Sequence, residues 1–132
     1  MDITAFLETR NYDLGFGSLF LYVTTFGVTI VKFEWDETKN RVNVRKHGFH
    51  FAEAEEMFHG ALLTRPDMDQ DYGEERWVGI GVTRSRIAVV AFAERQQDTI
   101  RIISLRKADN EERKQYEEAL QDGLETSRRP PR

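Results

Sequence analysis

Between Arg45 and His59 the chain reads "RKHGFHFAEAEEMFH", three histidines and a lysine beside three glutamates. Such side chains can hold a metal or move protons. Holding a metal on one helix favours two imidazoles at i and i+4, and His47, His50 and His59 offer no such pair. His47 and His50 also straddle a predicted helix break at Gly48. Proton or phosphate chemistry is what remains for Lys46 and His47, at a helix C-terminus whose dipole favours positive charge. There His47 is expected to give a proton rather than take one.

A second set of groups gathers at the ends of predicted strands: Glu74, Glu75, Arg76, Glu94, Arg95, Arg101, Arg106 and Lys107. Cleaving RNA without a metal needs a base for the 2′-hydroxyl proton and an acid for the leaving 5′-oxygen. It also needs fixed positive charge at the phosphorane-like transition state. The same residues could equally be solvated strand ends, with ion pairs worth about 0–1 kcal/mol each. In a regular strand Arg101 shares a face with Ile103 and Leu105, whereas Arg106 shares one with Ile100 and Ile102. A bulge is needed to bring both arginines into one site. Arginines among apolar neighbours need partners, and Glu75 or Glu94 are the expected ones.

No Walker loop, strand–GxGxxG–helix fingerprint or GxSxG elbow occurs, so a nucleotide cofactor and a serine nucleophile have no support. Cysteine is absent, which excludes disulfides and thiolate metal sites and suits a reducing cytoplasm. No cofactor is expected. The net charge of −4 argues against a strong nonspecific grip on nucleic acid, so any RNA chemistry must use a local basic patch.

With 132 residues, the chain is expected to build one core that positions these groups. Asp36 is a good N-cap for a helix over "ETKNRVNVRKH", which Gly48 ends. "HFAEAEEMF" follows as a short helix with Phe51, Ala54, Met57 and Phe58 on one face. "ALLTRP", "ERWVGIGVT", "RIAVVAFAER" and "TIRIISLRKA" read as an antiparallel meander, broken at "DMDQDYG", "RS" and "QQD". In the second of these strands Trp77, Gly79 and Gly81 line a face that looks thinly covered and open to a partner. Asp109 or Asn110 caps a last helix, "EERKQYEEALQDG", before a tail over residues 123–132.

Residues 14–31 form an uncharged run of eighteen residues with three glycines. Their β-branched and aromatic content predicts a strand pair rather than a membrane helix. Residues 1–31 are an extension of uncertain status: extra strands, or the product of a start upstream of a GUG codon at Val28 or Val31. The domain proper is set at residues 32–122.

"FEWDETKNRVNVRKHGFHFAEAEEMF", then "GEERWVGIGV", then "DTIRIISLRKADNEERKQYEE" together resemble the BrnT toxins of bacterial type II toxin–antitoxin systems, over about residues 32–118. The resemblance implies an α+β, RelE-like fold: a small antiparallel sheet of about four strands, two N-terminal helices and one C-terminal helix. It implies a cytoplasmic, metal-independent ribonuclease. It also implies a BrnA-like antitoxin with a ribbon-helix-helix region, through which the complex reaches operator DNA. The candidate catalytic residues are Lys46 and His47 for phosphate contact or proton transfer, Glu75 or Glu94 as base or arginine orienter, and Arg76, Arg101 and Arg106 for phosphate charge. Where the family usually has serine or threonine, this chain has His50, expected to be a poorer cap. The rival expectation is a catalytically silent module that pairs with the antitoxin to tune an operon.

Overall fold

The computed structural model describes residues 32–67, 73–95 and 99–123 with their side chains, and 7–13, 18–24 and 124–128 as backbone. Strands β1 (Leu7–Asp13), β2 (Ser18–Thr24) and β3 (Lys32–Glu34) precede helix α1 (Glu37–His47). A 3₁₀ turn, Phe51–Glu53, leads into α2 (Ala54–Phe58). Then come β4 (Ala61–Pro66), β5 (Trp77–Thr83), β6 (Arg86–Arg95), β7 (Thr99–Lys107) and α3 (Asn110–Arg128).

The fold is α+β with one mixed sheet in the order β1-β2-β4-β5-β6-β7-β3. The predicted meander is β4 to β7, antiparallel throughout. Three strands go beyond the expected four. β3 adds in parallel to β7, while the β1–β2 hairpin adds at the β4 edge, where Leu19 lies opposite Leu63 and Phe20 opposite Leu62. The expected strand pair is therefore shifted. The uncharged run supplies β2, and its partner is the more polar "LETRNYD" ahead of it, because ladder pairing is a backbone property that tolerates charge on an edge strand. Residues 14–17 and 25–31 of that run lie outside the described residues, as does Val28. Among the described residues, no helix is long and apolar enough to cross a membrane.

Two helical layers cover the sheet. Phe49, Phe51, Ala54, Met57 and Phe58 pack on Leu62, Ala88, Val90, Phe92, Ile100, Ile102 and Leu105 on one face. On the other, Tyr116 and Ala119 of α3 pack with Ala108 on Leu63, Ile80 and Val89. The glycine face of β5 is not open. A Cβ at Gly79 would lie 2.9 Å from Leu62 Cδ1, and one at Gly81 would meet Leu62 and Met57. The bare strand lets α2 and Leu62 approach, so the cover comes from a neighbour that strand periodicity does not reveal. Leu62 is fully buried and cannot swing away. Gly79→Ala should therefore cost about 1–3 kcal/mol by overpacking, measured by urea denaturation.

α1 is held by polar contacts. Its buried residues are Asn40 and Asn43. The Asn43 amide takes the place of a neighbouring strand beside β7, accepting from Leu105 N–H at 3.2 Å and donating to Leu105 C=O at 2.8 Å and Phe49 C=O at 2.9 Å. Asn40 Oδ1 accepts from Phe51 N–H at 2.8 Å. Asp36 caps the helix by accepting from Lys39 N–H at 3.0 Å, and Gly48 ends it at φ 75°. His50 caps better than expected. Its Nδ1 accepts from Ala52 N–H while Glu53 accepts from His50 N–H, so imidazole fills the role of the hydroxyl in a closed capping box.

Asp109 caps α3, and Glu112 returns the bond to Asp109 N–H. Helix α3 then continues past Gly123 to Arg128, so much of the segment expected as a tail has a helical backbone. One glycine costs a helix only about 1 kcal/mol, too little to stop it before "LETSR".

Candidate functional site

The sheet register decides which side chains can meet. Directly opposed residues of neighbouring strands share a face. Along β7 the register slips once: Ala91 faces Ser104, but Phe92 faces Ile102, leaving Ile103 as a bulge. The slip reverses the alternation between Arg101 and Arg106. Arg101 lies opposite Ala93, Ser104 opposite Ala91 and Arg106 opposite Val89, so all three project from the α3 side. This corrects the regular-strand expectation, since the bulge's extra residue shifts every later side chain by half a repeat.

Among the described residues, the α3 cluster is centred on the row Leu63, Ile80, Val89 at one end of that face, with Ala61, Val78 and Ile87 partly buried against it. Beyond it the next row runs Arg65, Val78, Ala91, Ser104 across β4 to β7. Further on come Arg101 and its neighbour Glu34, and then Arg95 and Thr99. Glu74 and Arg76 join from the strand entry: Glu74 accepts from Arg95 at 2.9 Å and from Arg76 Nε at 3.4 Å. The floor is therefore short: Val78, Ala91 and Ser104 are partly exposed and Ala93 beside them is fully buried, and arginines stand around it. On the α1 side a cleft of about 340 Å³ opens between helix and β7, lined by Thr38, Lys39, Val42, Asn43, Lys46, His47, Ile103 and Ser104.

This geometry divides the expected site. Arg76 and Arg101 belong to the half-face beyond the α3 cluster, open among the described residues, and Lys46 and His47 border it through the cleft that they share with Ser104. Arg101 is only half-buried, with a long 3.5 Å contact to Glu34. Arg106 is engaged otherwise: its guanidinium grips Glu112 through two bonds of 2.7 and 2.8 Å, clamping α3 to the sheet. Those hydrogen bonds, before any charge attraction, hold the Glu112 carboxyl below its usual range and raise the Arg106 guanidinium.

Glu75 and Glu94 do not join the arginines. Glu94 lies opposite Ile100 on the face of Phe92 and α2, and strand alternation puts Glu75 on the same side as Trp77. Partial desolvation, and then the nearby Glu75 carboxylate, push Glu94 upward. The carboxylate that orients arginines is Glu74. Its place was computable: the two-residue turn Arg84–Ser85 opposes Thr83 to Arg86, and counting back from that pair sets Glu74 against Arg95. His59, on the surface, lies 3.7 Å from Glu55.

The Glu112 clamp carries a pH signature. A carboxyl whose folded pKa is depressed stabilises the fold fully above its unfolded value, near 4.5, and loses that contribution as pH falls through the folded value. Because Arg106 is partly exposed, Glu112→Gln is expected to cost only about 1–2 kcal/mol at neutral pH. Urea unfolding of both proteins should show that gap closing below pH 4.5.

The family model described as ribonuclease toxin, BrnT, of type II toxin-antitoxin system matches residues 35–112, more than half of the chain. The chain belongs to the BrnT family. The BrnT match runs from Trp35 to Glu112, so it includes α1, the whole meander, the Ile103 bulge and the Arg106–Glu112 clamp. Among solved structures this BrnT-family chain is similar to the Brucella abortus ribonuclease toxin BrnT, whose crystal structure was determined at 1.1 Å, with 28% identity and a TM-score of 0.48. The similarity covers 61% of this chain and 99% of that one. No curated protein matches. As a member of a BrnT toxin–antitoxin family, the chain has an antitoxin as its expected class of partner.

Proposed function

We propose that the chain is a metal-independent endoribonuclease of RelE-like fold that cuts cellular RNA on the open half of its α3 face, with residues 32–122 as the toxin domain. The observation that carries this reading is the short, partly exposed floor of Val78, Ala91 and Ser104 among Arg65, Arg76, Arg95 and Arg101. An acidic protein thereby offers one basic surface on which an RNA backbone can lie close to the sheet. Glu74 holds Arg76 and Arg95, and Arg101 gives up a long contact with Glu34 and a small attraction to Asp36 to engage a phosphate.

In the proposed reaction the RNA 2′-oxygen attacks phosphorus and the P–O5′ bond breaks. The products are a 2′,3′-cyclic phosphate and a 5′-hydroxyl. Lys46 or His47 supplies the proton to the leaving oxygen, the 2′-hydroxyl proton passes to water, and the arginines carry the transition-state charge. A BrnA-like antitoxin with a ribbon-helix-helix region neutralises the enzyme in the cytoplasm and links the pair to operator DNA.

Incubating the purified chain with labelled RNA, with and without EDTA, tests this reading. Cleavage that is unchanged by EDTA and leaves cyclic phosphate ends is expected. Cleavage abolished by EDTA contradicts the mechanism. No cleavage, with no growth arrest on expression, would favour the silent module that only pairs with an antitoxin.

A further inference from the structure

We propose that the cleft between α1 and β7 is a nucleobase subsite, which gives the enzyme sequence preference at the nucleotide beside the cut. The inference rests on the ribonuclease reading and adds a specificity pocket to it. Val42 on α1 is 46% exposed although it is a large apolar residue, and it faces the cleft with half-buried Ile103. The size, about 340 Å³, suits a single flat heterocycle rather than a helix or a second strand.

The cleft is built for one end of a nucleotide to be apolar and the other charged. Val42 and Ile103 present carbon to the faces of a base. The hydroxyls of Thr38 and Ser104 can read its edge. Lys39 and Lys46 stand at the rim, spaced seven residues apart on one side of α1, and complement phosphate charge. The cleft is also continuous with the basic face, because Ser104 belongs to both: it lines the cleft and lies in the row with Ala91, Val78 and Arg65. A strand bound along the arginines would thus deliver a neighbouring base to the cleft. The bulge at Ile103 makes this junction, since without it Ser104 would turn to the opposite face.

The test uses the full chain with short RNAs varied at the bases beside the cut, and with 2′-O-methyl and abasic 2′-O-methyl oligonucleotides for binding. Val42→Trp fills the cleft from an exposed helix position, and Val42→Ala removes one wall without adding bulk. Both variants should lose base preference, with kcat/KM for the favoured RNA falling about tenfold or more toward that of disfavoured RNAs. Affinity for the abasic oligonucleotide should stay unchanged, because its phosphates still meet the arginines. Preference retained in both variants overturns the proposal. So does an equal loss of abasic binding, or an effect confined to binding of an antitoxin. If the wild-type chain cuts no RNA, the ribonuclease reading fails by itself. Base-dependent binding of the 2′-O-methyl oligonucleotides, abolished by Val42→Trp, would still establish the subsite, and its absence would remove it.

Discussion

Arg101→Ala is expected to lower RNA cleavage by about 100-fold or more, the scale of losing one fixed charge at a developing phosphorane. Stability should change little. Its guanidinium is partly exposed and its contact with Glu34 is 3.5 Å long, so the ion pair contributes under about 1 kcal/mol. Arg106→Ala should behave the other way. It leaves the largely buried Glu112 carboxylate without its two short bonds and loosens α3, so stability falls by about 2 kcal/mol. Measuring kcat/KM beside the unfolding midpoint for both variants separates the roles. Undiminished cleavage by Arg101→Ala would remove that residue from the phosphate site.

Asn43→Ala should be the most destabilising single change near the site, at about 3 kcal/mol. One amide satisfies Leu105 on both its N–H and C=O and also the Phe49 carbonyl, all in a buried setting. Alanine leaves those backbone groups without this partner and creates a void beside β7. Helix α1 has little apolar surface to hold it otherwise, because Val42 and Val44 are exposed. Denaturant unfolding checks the figure, and a loss below about 1 kcal/mol would mean that water or a neighbour replaces the amide. Because α1 carries Lys46 and His47, cleavage should fall in parallel with helix seating.

Much of this was legible in the sequence for local reasons. Asp36 and Gly48 bound α1 because cap and left-handed residue are local demands, and the four meander strands follow from period-2 patterns between turn residues. The two-residue turn at Arg84–Ser85 fixed the β5–β6 register, and with it the pairing of Glu74 with Arg95. The Ile103 bulge was not legible. It depends on how β7 meets β6 and α1 in space, yet it sets the faces of Arg101, Ser104 and Arg106. The bulge does not bear on Glu75 and Glu94: strand alternation alone puts them on the face opposite Arg76 and Arg95, and this follows from the same β5–β6 register. The three residues of the parallel β3 carry too little pattern to be read as a strand, and the partner that Arg106 needs is Glu112 rather than the expected Glu75 or Glu94, because Glu112 reaches it from another element.

The central claim, that RNA lies on the open half of the α3 face, is tested most directly by NMR titration of the full chain with a non-cleavable 2′-O-methyl RNA. The account predicts shifts at the amides of Val78, Ala91, Ala93 and Ser104 and at the Nε groups of Arg76, Arg95 and Arg101. Shifts confined to Glu75, Trp77, Glu94 and helix α2, on the opposite face, would contradict it.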